Sequence, residues 1–265
     1  MPSENKLSIV GIGPGNRSLR TIGAEEAIKK ADFVVGYRPY LNMIGDLLHG
    51  KEIFSSGMGK EVDRAKAAVD LLAEGSVALV SSGDPNVYGM AGLGLEIAPE
   101  PAKVEVVPGV TSFAAAACRA GLVFRSCLAA ISLSDLLTPR QEIEQRLRLA
   151  SEYEMPIALY NPKSKRREQL LIRALELSKG REALVAKNVS RDDEEIFWTT
   201  TAKLMEDEAL RNKIDMTTLI IIFGRGLFRG EPSPEASVNL VDRRQGTSPR
   251  GPVPIHHDAL LDLTT

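Results

Sequence analysis

Residues 78–91 read Ala-Leu-Val-Ser-Ser-Gly-Asp-Pro-Asn-Val-Tyr-Gly-Met-Ala, and this stretch indicates the fold. An apolar run ends at a loop that contains Gly83, Asp84 and Pro85, which is typical of a buried strand that stops at a tight turn. In a parallel α/β sheet, ligands bind beyond the carboxyl ends of the strands. Gly83 lets a ligand approach the backbone, and Asp84 supplies an acceptor. Taken alone, this stretch is explained equally well by an ordinary strand-to-helix turn. The other motifs of the chain favour the ligand-binding explanation.

The composition favours a globular protein of one or two domains, because 265 residues with 43% apolar content can bury a sizeable core. A net charge of −2 argues against a nucleic-acid binder. No apolar run approaches the roughly 20 residues that span a bilayer, and the first residues contain no apolar signal core. Cys118 and Cys127 lie in apolar stretches, so we expect buried free thiols and no metal site. We therefore expect a cytoplasmic protein that binds neither nucleic acid nor membranes.

Apolar runs and helical patterns alternate along the chain. Strands are predicted at residues 7–10, 33–35, 77–81, 104–107, 128–132, 157–160, 183–187, 196–200 and 219–223. Helices are predicted at 24–30, 61–74, 114–120, 140–150, 165–178 and 202–210. The first half therefore predicts an α/β layer with a parallel sheet, and the successive strands near 187–200 predict a mixed sheet in the second half. We expect domains at 1–125 and 126–229, followed by a disordered tail at 230–265 that is rich in Pro, Ser and Arg.

Two helices carry signals that a structure can test. The helix at 61–74 is expected to bury one apolar face, made of Val62, Ala65, Val69 and Leu72. Thr138 and Gln141 have the spacing of a capping box, with Pro139 at the first helical position of the next helix.

Gly11, Gly13 and Gly15 suggest a dinucleotide-binding loop, but the match is poor. The fingerprint requires a glycine at position 16, where this chain has Asn16, and an acidic residue at the end of the second strand. A phosphate-binding P-loop is excluded because no Gly-Lys-Ser/Thr follows.

Five motifs, taken in order, resemble those of the tetrapyrrole (corrin/porphyrin) methylases, a family that uses S-adenosylmethionine. They are the 11–15 loop, Gly83-Asp84-Pro85, the segment 108–112, Tyr160-Asn161-Pro162 and the late strand at 217–223. Together they cover about residues 7–227. The resemblance implies two α/β domains, the N-terminal one with a mainly parallel sheet and the C-terminal one with a mixed sheet. It also implies a homodimer.

Within this family, the chain is most similar to the precorrin-3B C17-methyltransferase branch of cobalamin biosynthesis. The stretches that carry this likeness are residues 36–41, 57–65, 80–91, 132–139 and 159–167. The chain departs from the pattern at Asn86, where glycine is usual, and at Arg140, where an aromatic residue is usual. Asparagine tolerates unusual backbone angles, so we expect the loop at Asn86 to survive. The implied reaction is methylation of precorrin-3B at C17, with ring contraction to precorrin-4.

The resemblance also implies a binding site for S-adenosylmethionine. Its residues would be Gly83, Asp84, Val87, Tyr88, Thr111, Ser112, Tyr160, Asn161, Asn188 and Thr218. Some of these residues also have simpler explanations. Asp84 is a natural loop cap, Thr111 and Ser112 sit where a helix N-cap belongs, and Tyr160 ends an apolar strand.

The implied substrate is a porphyrinoid with many carboxylates, which cationic side chains recognise best. The substrate-binding residues would be Gly13, Pro14, Arg38, Lys60, Arg64, Lys163, Lys165 and Arg166. Taken singly, each of these cations is more often a solvated surface charge. The run 163–167 is predicted to open a helix whose dipole disfavours cations, which favours a binding role. No catalytic residue is assigned.

Several alternatives remain open from the sequence. The substrate is either metal-free precorrin-3B or its cobalt complex. Other members of the fold methylate other corrin positions, ribosomal RNA or a histidine-derived residue on a translation factor. A cofactor-binding homologue without activity is a further alternative, which Asn86 and the tail leave open.

Overall fold

The structure is a computed structural model that describes residues 5–100, 102–163 and 168–230. Lys165, Arg166 and the predicted tail from residue 231 onward lie outside these ranges. The first sheet has five parallel strands in the order β3-β2-β4-β1-β5. The strands are β1 (Lys6–Gly11), β2 (Phe33–Tyr37), β3 (Glu52–Ser56), β4 (Val77–Ser81) and β5 (Lys103–Val107). The predicted parallel sheet is therefore confirmed.

Helices cover both faces of this sheet, which explains why its central strands are continuous apolar runs. They are α1 (Ile22–Lys30), α2 (Arg38–Met43), α3 (Glu61–Asp70) and α4 (Ala91–Ile97). Short 3₁₀ turns lie at Arg17–Leu19, Gly45–Leu47 and Leu71–Ala73. The predicted burial of Val62 on α3 is wrong, because this side chain is 46% exposed. The buried face of α3 centres on Arg64, Ala65 and Ala68, about a hundred degrees around the helix from Val62.

The second sheet is mixed, as predicted, with the order β10-β9-β11-β8-β7. Its strands are β7 (Ala129–Ser132), β8 (Ile157–Tyr160), β9 (Glu182–Lys187), β10 (Glu195–Thr200) and β11 (Thr218–Ile222). β7 runs parallel to β8, and the other neighbours are antiparallel. The helices of this half are α5 (Ser112–Ala120), α6 (Arg140–Glu152), α7 (Gln169–Leu177), α8 (Thr201–Glu206) and α9 (Glu208–Arg211).

The packing crosses the division predicted near residue 125. The alanine face of α5 packs against the second sheet, in one cluster with Ala158, Leu184 and Ile221. After α5, the short strand β6 (Leu122–Phe124) pairs with β12 (Leu227–Arg229), the last described strand. The division at 125 stays a prediction, but side chains before it already belong to the core of the second sheet.

Three local predictions are wrong. The helix predicted at 202–210 is broken at Asp207, whose side chain accepts a hydrogen bond from Leu210 N (2.9 Å) and so caps α9. The capping box at Thr138 is not formed, because Pro139 takes the N-cap position of α6 and makes no side-chain hydrogen bond. The predicted burial of both cysteines is wrong. Cys118 is exposed, because the buried alanines of α5 lie on another face of the helix. Cys127 is partly exposed. Within the described ranges, no helix is both long and apolar enough to cross a membrane.

Candidate active site

Three loops meet at the carboxyl edge of the first sheet. The loop after β1 and the loop after β4 are joined by a pair of backbone hydrogen bonds, from Gly83 N to Gly13 O (2.8 Å) and from Gly13 N to Gly83 O (3.2 Å). Gly13 and Gly83 both have positive φ, of 77° and 67°, a conformation that favours glycine. The predicted site residues Gly13 and Gly83 are therefore direct neighbours.

The third loop, after β5, packs onto the first two through glycines without side chains. A Cβ at Gly109 would overlap the carbonyl oxygen of Gly83. A Cβ at Gly11 would lie 2.7 Å from Gly109 N. Both obstacles are backbone atoms that cannot rotate away. Gly11, Gly83 and Gly109 thus form one tightly packed unit, which we call the glycine floor.

Asp84 holds two of these loops in place with its two carboxylate oxygens. Oδ1 accepts a hydrogen bond from Asn86 N (2.8 Å), and Oδ2 accepts one from Gly109 N (3.1 Å). The loop-capping explanation of Asp84 is thus correct, and it leaves further lone pairs for a ligand. Asn86 contributes its backbone N–H, and its φ is not positive, so the departure from glycine leaves this loop intact.

The second sheet joins the floor through Tyr160, at the end of β8. The Tyr160 hydroxyl lies 2.5 Å from Thr111 Oγ1 and accepts a hydrogen bond from Phe113 N (3.3 Å). Thr111 does occupy the N-cap position of α5, but its side chain makes no capping bond and is directed to Tyr160 instead. Ser112 is the first residue of this helix. The predicted residues Thr111, Ser112 and Tyr160 are therefore brought together.

Tyr88 crosses from the first half to the second. Its hydroxyl donates to Ala130 O on β7 (2.5 Å), and its ring lies 5.2 Å from the Tyr160 ring, centroid to centroid. Tyr88 has a φ of 55°, which is costly for an aromatic residue and points to a conformation that its surroundings impose. Burial raises the pKa of the Tyr88 hydroxyl, so it stays protonated at neutral pH. Val87 stands beside it, and its backbone N–H bonds to Asp84 O (3.1 Å).

Asn161 follows Tyr160 in the left-handed region, with a φ of 51°. Its Nδ2 donates to Ser132 Oγ at the end of β7 (3.0 Å). Ser132 was not among the predicted site residues, although it opens the 132–139 motif. Asn161 and Ser132 thus join the ends of the neighbouring strands β7 and β8.

The remaining predicted cofactor residues, Asn188 and Thr218, lie where β9 ends and β11 begins. Asn188 Nδ2 donates to Asp193 Oδ2 (2.7 Å), and Thr218 Oγ1 donates to Asp215 Oδ1 (3.2 Å). Their side chains are thus held by their own loops and make no hydrogen bond to Tyr160 or Thr111.

The predicted substrate cations differ in their surroundings. Arg64 is buried, donates to Ser56 Oγ (2.6 Å) and holds the loop after β3. Lys60 pairs with Asp63 (3.1 Å). Lys163 pairs with Glu168 (3.0 Å). Arg38 is exposed and makes no ion pair with any residue that the structure describes.

The dipole argument for the run 163–167 is wrong for Lys163, because α7 begins only at Gln169. Lys163 Nζ contacts Asn212 Oδ1 (2.9 Å) besides Glu168, so it anchors the start of this loop to α9. Lys165 and Arg166 lie outside the described residues. Their assignment stays a prediction.

A second joint between the two halves was not predicted. Arg191, on the loop after β9, donates from Nε to Pro14 O (3.1 Å), and Asn16 N donates to Ser190 Oγ (3.2 Å). Arg191 stands in the run Arg-Asp-Asp-Glu-Glu, which is typical of a solvated loop, so no sequence signal separated it from surface charge.

Comparison with known proteins now decides the family. The model of the tetrapyrrole (corrin/porphyrin) methylases matches residues 6–205, which include every loop of the cleft up to Arg191. This chain belongs to that family. Within the described residues of this methylase, no group of three or more His, Cys, Asp or Glu side chains is placed to hold a metal ion.

Several curated relatives are similar to this methylase over most of its length. A probable cobalt-factor III C(17)-methyltransferase of Salmonella typhimurium is 40% identical over 82% of this chain and 91% of its own length. A precorrin-3B C(17)-methyltransferase of Sinorhizobium sp is 39% identical over 82% and 87%. The cobalamin biosynthesis protein CbiHC of Archaeoglobus fulgidus is 37% identical over 84% of this chain, which spans only 50% of that longer protein.

Solved structures agree with the fold. The crystal structure of the methyltransferase CobJ has a TM-score of 0.76 and 33% identity, and the match covers 86% of this chain and 98% of that one. The cobalt precorrin-4 methyltransferase CbiF has a TM-score of 0.64 and 26% identity, over 82% and 94%. The expected methylase fold, with two α/β halves, is confirmed.

Proposed function

We propose that this protein transfers a methyl group from S-adenosylmethionine to C17 of precorrin-3B, or of its cobalt complex, with contraction of the ring, in cobalamin biosynthesis. The observation that carries the proposal is the joint of Gly83, Thr111 and Tyr160. This joint brings residues from both sheets together. It occurs in a chain that is about 40% identical to two enzymes named for C17 methylation.

The residues of the cleft have the chemistry that S-adenosylmethionine requires. Its amino and hydroxyl groups need acceptors and donors, which Asp84 and the backbone of the glycine floor supply. Its sulfonium and adenine suit aromatic faces, which Tyr88 and Tyr160 present. Gly83 faces the start of α5, because a Cβ there would be in van der Waals contact with the Thr111 and Ser112 backbone, at 3.8 and 4.0 Å. Val87, Ser112, Asn161, Asn188 and Thr218 complete the proposed set.

The proposed substrate residues of the first half lie on the loop after β1, at the start of α2 and around the start of α3. Gly13 and Pro14 offer only remaining lone pairs of their carbonyl oxygens, because Gly13 N–H bonds Gly83 O and Pro14 has no N–H. Arg38 offers a guanidinium that bonds no described residue. Arginine forks match carboxylates best, and the porphyrinoid carries many of them. Arg64 would contribute indirectly, by holding the loop after β3, and Lys60 contributes a charge at the rim.

The protein's contribution to methyl transfer is alignment. When bound, S-adenosylmethionine supplies an electrophilic methyl group, and the electron-rich ring carbon needs no covalent help. Holding two reactants in line can lower a barrier by roughly 7–11 kcal/mol. The glycine floor fixes one reactant by backbone packing, while Tyr88 is held by a bond to β7 of the second sheet and Asn161 by a bond to Ser132 on the neighbouring strand. Ring contraction calls for proton transfer, and the protonated Tyr88 hydroxyl, which bonds Ala130 O in the other half, is the group we propose as donor.

A turnover assay tests the reaction. Purified protein is incubated with labelled S-adenosylmethionine and either precorrin-3B or cobalt-factor III, and the products are separated. We expect labelled, ring-contracted product with one of the two. Binding of S-adenosylmethionine without transfer to either macrocycle would favour the inactive homologue, and transfer at another ring position would contradict the C17 assignment.

The cofactor site has its own test. Asp84→Ala should weaken S-adenosylmethionine binding in calorimetric titration while the protein stays folded, because the loops on both sides of Gly83 lose their anchor. Asp63→Ala, which removes an exposed carboxylate on α3, is the matched control. Equal affinity in Asp84→Ala and wild type would remove Asp84 from the site.

We also propose a cytoplasmic homodimer. β3 is an edge strand whose Ile53 and Phe54 are exposed, at 50% and 44%, and exposed apolar edge strands invite pairing. Sedimentation of the wild type against Phe54→Glu tests this arrangement: the dimer should dissociate in the variant.

A further inference from the structure

Arg191 reaches across the cleft from the second half to the loop of the first. Its Nε donates to Pro14 O (3.1 Å), and its Nη1 lies 3.4 Å from Asn188 Oδ1. Nη2 has no hydrogen-bond partner among the described residues, and it is accessible to solvent rather than buried. One edge of the guanidinium is therefore fixed, and the other is open to solvent.

The charge of Arg191 is not neutralised by its own loop. Asp193 bonds Asn188, and Glu194 bonds Ser190 N (2.5 Å) and pairs with Arg119 (3.6 Å). Within the described ranges, no carboxylate lies within ion-pair distance of Arg191. A partly buried cation without a counter-ion costs stability, so a protein keeps one where a ligand supplies the anion.

The position of Arg191 is held rigidly. Ser190 and Asn188, with φ of 64° and 49°, turn the backbone, and the carbonyl of Ser190 packs so closely on Gly15 that a Cβ there would lie 2.5 Å away. Tyr40 of α2 is near enough to feel this charge: burial raises the pKa of its hydroxyl, and the charge of Arg191 partly opposes that rise. The guanidinium thus stands preorganised beside Pro14 and close to α2.

We propose that Arg191 is a substrate-binding residue that pairs with a carboxylate of the porphyrinoid from the second half, while Arg38 contacts the substrate from the first half. This rests on the proposed function. The competing explanation is that Arg191 only ties the two loops together. A tether needs one donor to Pro14 O, which a neutral side chain supplies, whereas a substrate carboxylate needs the charge.

Four variants separate these explanations. Arg191→Gln keeps a donor and removes the charge, and Arg191→Lys keeps the charge without the fork. Arg119→Gln removes a charge from the same neighbourhood, and Ser190→Ala removes the neighbouring bond to Asn16. Each is assayed for KM and kcat with the macrocycle, for S-adenosylmethionine affinity by calorimetry and for its thermal midpoint.

We expect Arg191→Gln to raise the KM for the macrocycle about tenfold to one-hundredfold, as loss of a charged hydrogen-bonded pair does, with unchanged S-adenosylmethionine affinity. Arg191→Lys should show a smaller rise. Arg119→Gln should leave KM unchanged, and Ser190→Ala should lower the thermal midpoint without a comparable rise in KM.

Three results would overturn the proposal. If Arg191→Gln had the wild-type KM, Arg191 would only tie the two loops together. If it changed KM as much as Arg119→Gln does, the effect would come from general electrostatics and not from a specific pair with the substrate. Weaker S-adenosylmethionine binding with an unchanged KM would assign Arg191 to the cofactor carboxylate. Failure of the proposed function is distinguishable, because the wild type would then show no turnover. Fluorescence quenching with a polycarboxylate porphyrin would still decide whether Arg191→Gln weakens binding of such a ring.

Discussion

The two edges that form the cleft are built by opposite means. On the first sheet, Gly11, Gly83 and Gly109 pack backbone against backbone, and a side chain at Gly11 or Gly109 would collide with fixed atoms. On the second sheet, Asn161, Asn188 and Ser190 adopt positive φ although they carry side chains. The Asn161 and Asn188 side chains donate hydrogen bonds to Ser132 and Asp193, and the Ser190 hydroxyl accepts one from Asn16 N.

The difference determines how sensitive each edge is to substitution. A left-handed residue other than glycine costs about 1–2 kcal/mol, and a side-chain hydrogen bond returns about 1 kcal/mol. The second edge is therefore balanced, and a substitution there shifts it by a moderate amount. The first edge depends on the absence of side chains at Gly11 and Gly109, so a methyl group added at either position disrupts it.

The largest effect should follow Gly109→Ala. Its new methyl would meet the Gly83 carbonyl, which cannot rotate away, so we expect the free energy of unfolding to fall by about 3 kcal/mol and S-adenosylmethionine binding to be lost. Gly92→Ala, in α4, is the matched control. A Cβ at Gly92 would meet no atom within 4 Å, and alanine in a helix should be neutral or stabilising. Urea unfolding measures both, and equal stability of the two variants would break the comparison.

Tyr160→Phe should have the next largest effect, since the hydroxyl joins the two edges. Loss of the bonds to Thr111 and Phe113 should cost about 1–2 kcal/mol of unfolding free energy and weaken S-adenosylmethionine binding. Tyr153→Phe, at an exposed tyrosine, is the control. A Tyr160→Phe protein as stable as its control would show that the joint does not hold the halves together.

Paired substitutions at Asn161 sharpen the account of the second edge. Asn161→Gly loses the bond to Ser132 but adopts its φ of 51° freely, whereas Asn161→Ala loses the bond and keeps the strain. We expect the alanine variant to be less stable by about 1 kcal/mol in urea unfolding. The opposite order would mean that the conformational entropy glycine loses on folding outweighs the backbone strain of alanine at this position.

The smallest effect concerns pH. Partial burial raises the pKa of Glu168, but hydrogen bonds and charge from Lys163 and Arg211 outweigh this, so its pKa lies below the ordinary value. The carboxylate therefore stabilises the fold at neutral pH, and this contribution is lost as pH falls from about 4.3 through the lowered pKa. Glu168→Gln should lower the thermal midpoint slightly at neutral pH and flatten the acid side of the stability–pH curve, so that the two proteins converge at low pH. A curve parallel to that of the wild type would contradict this.

Local patterns were enough to predict most elements of both sheets. β4 and β8 were predicted with their observed bounds, because each is an apolar run that ends at a Gly-Asp-Pro or Asn-Pro turn. β3, β6 and β12 were not predicted. β3 is an exposed edge strand, and β6 and β12 exist only because they pair with each other, so their sequences carry no periodic signal.

The candidate site was predictable in its loops but not in its joints. Motif residues identified Gly83, Thr111 and Tyr160, but only folding shows that Thr111 bonds Tyr160 rather than capping α5. The roles of Arg191 and Ser132 depend on partners far away in the chain, such as Pro14 for Arg191. Charge density along the sequence gives no information about which arginine lacks a counter-ion.

The pairing of β6 with β12 has a consequence for synthesis on the ribosome. Every strand of the first sheet lies within residues 6–107, so this sheet and its glycine floor can form while the rest is still being translated. α5 and β6 follow directly, but the surfaces they pack against are translated later, and β12 is the last described strand. A nascent chain at this stage carries a finished sheet and an uncovered alanine-rich helix, and we expect residues 112–124 to be where a chaperone binds it.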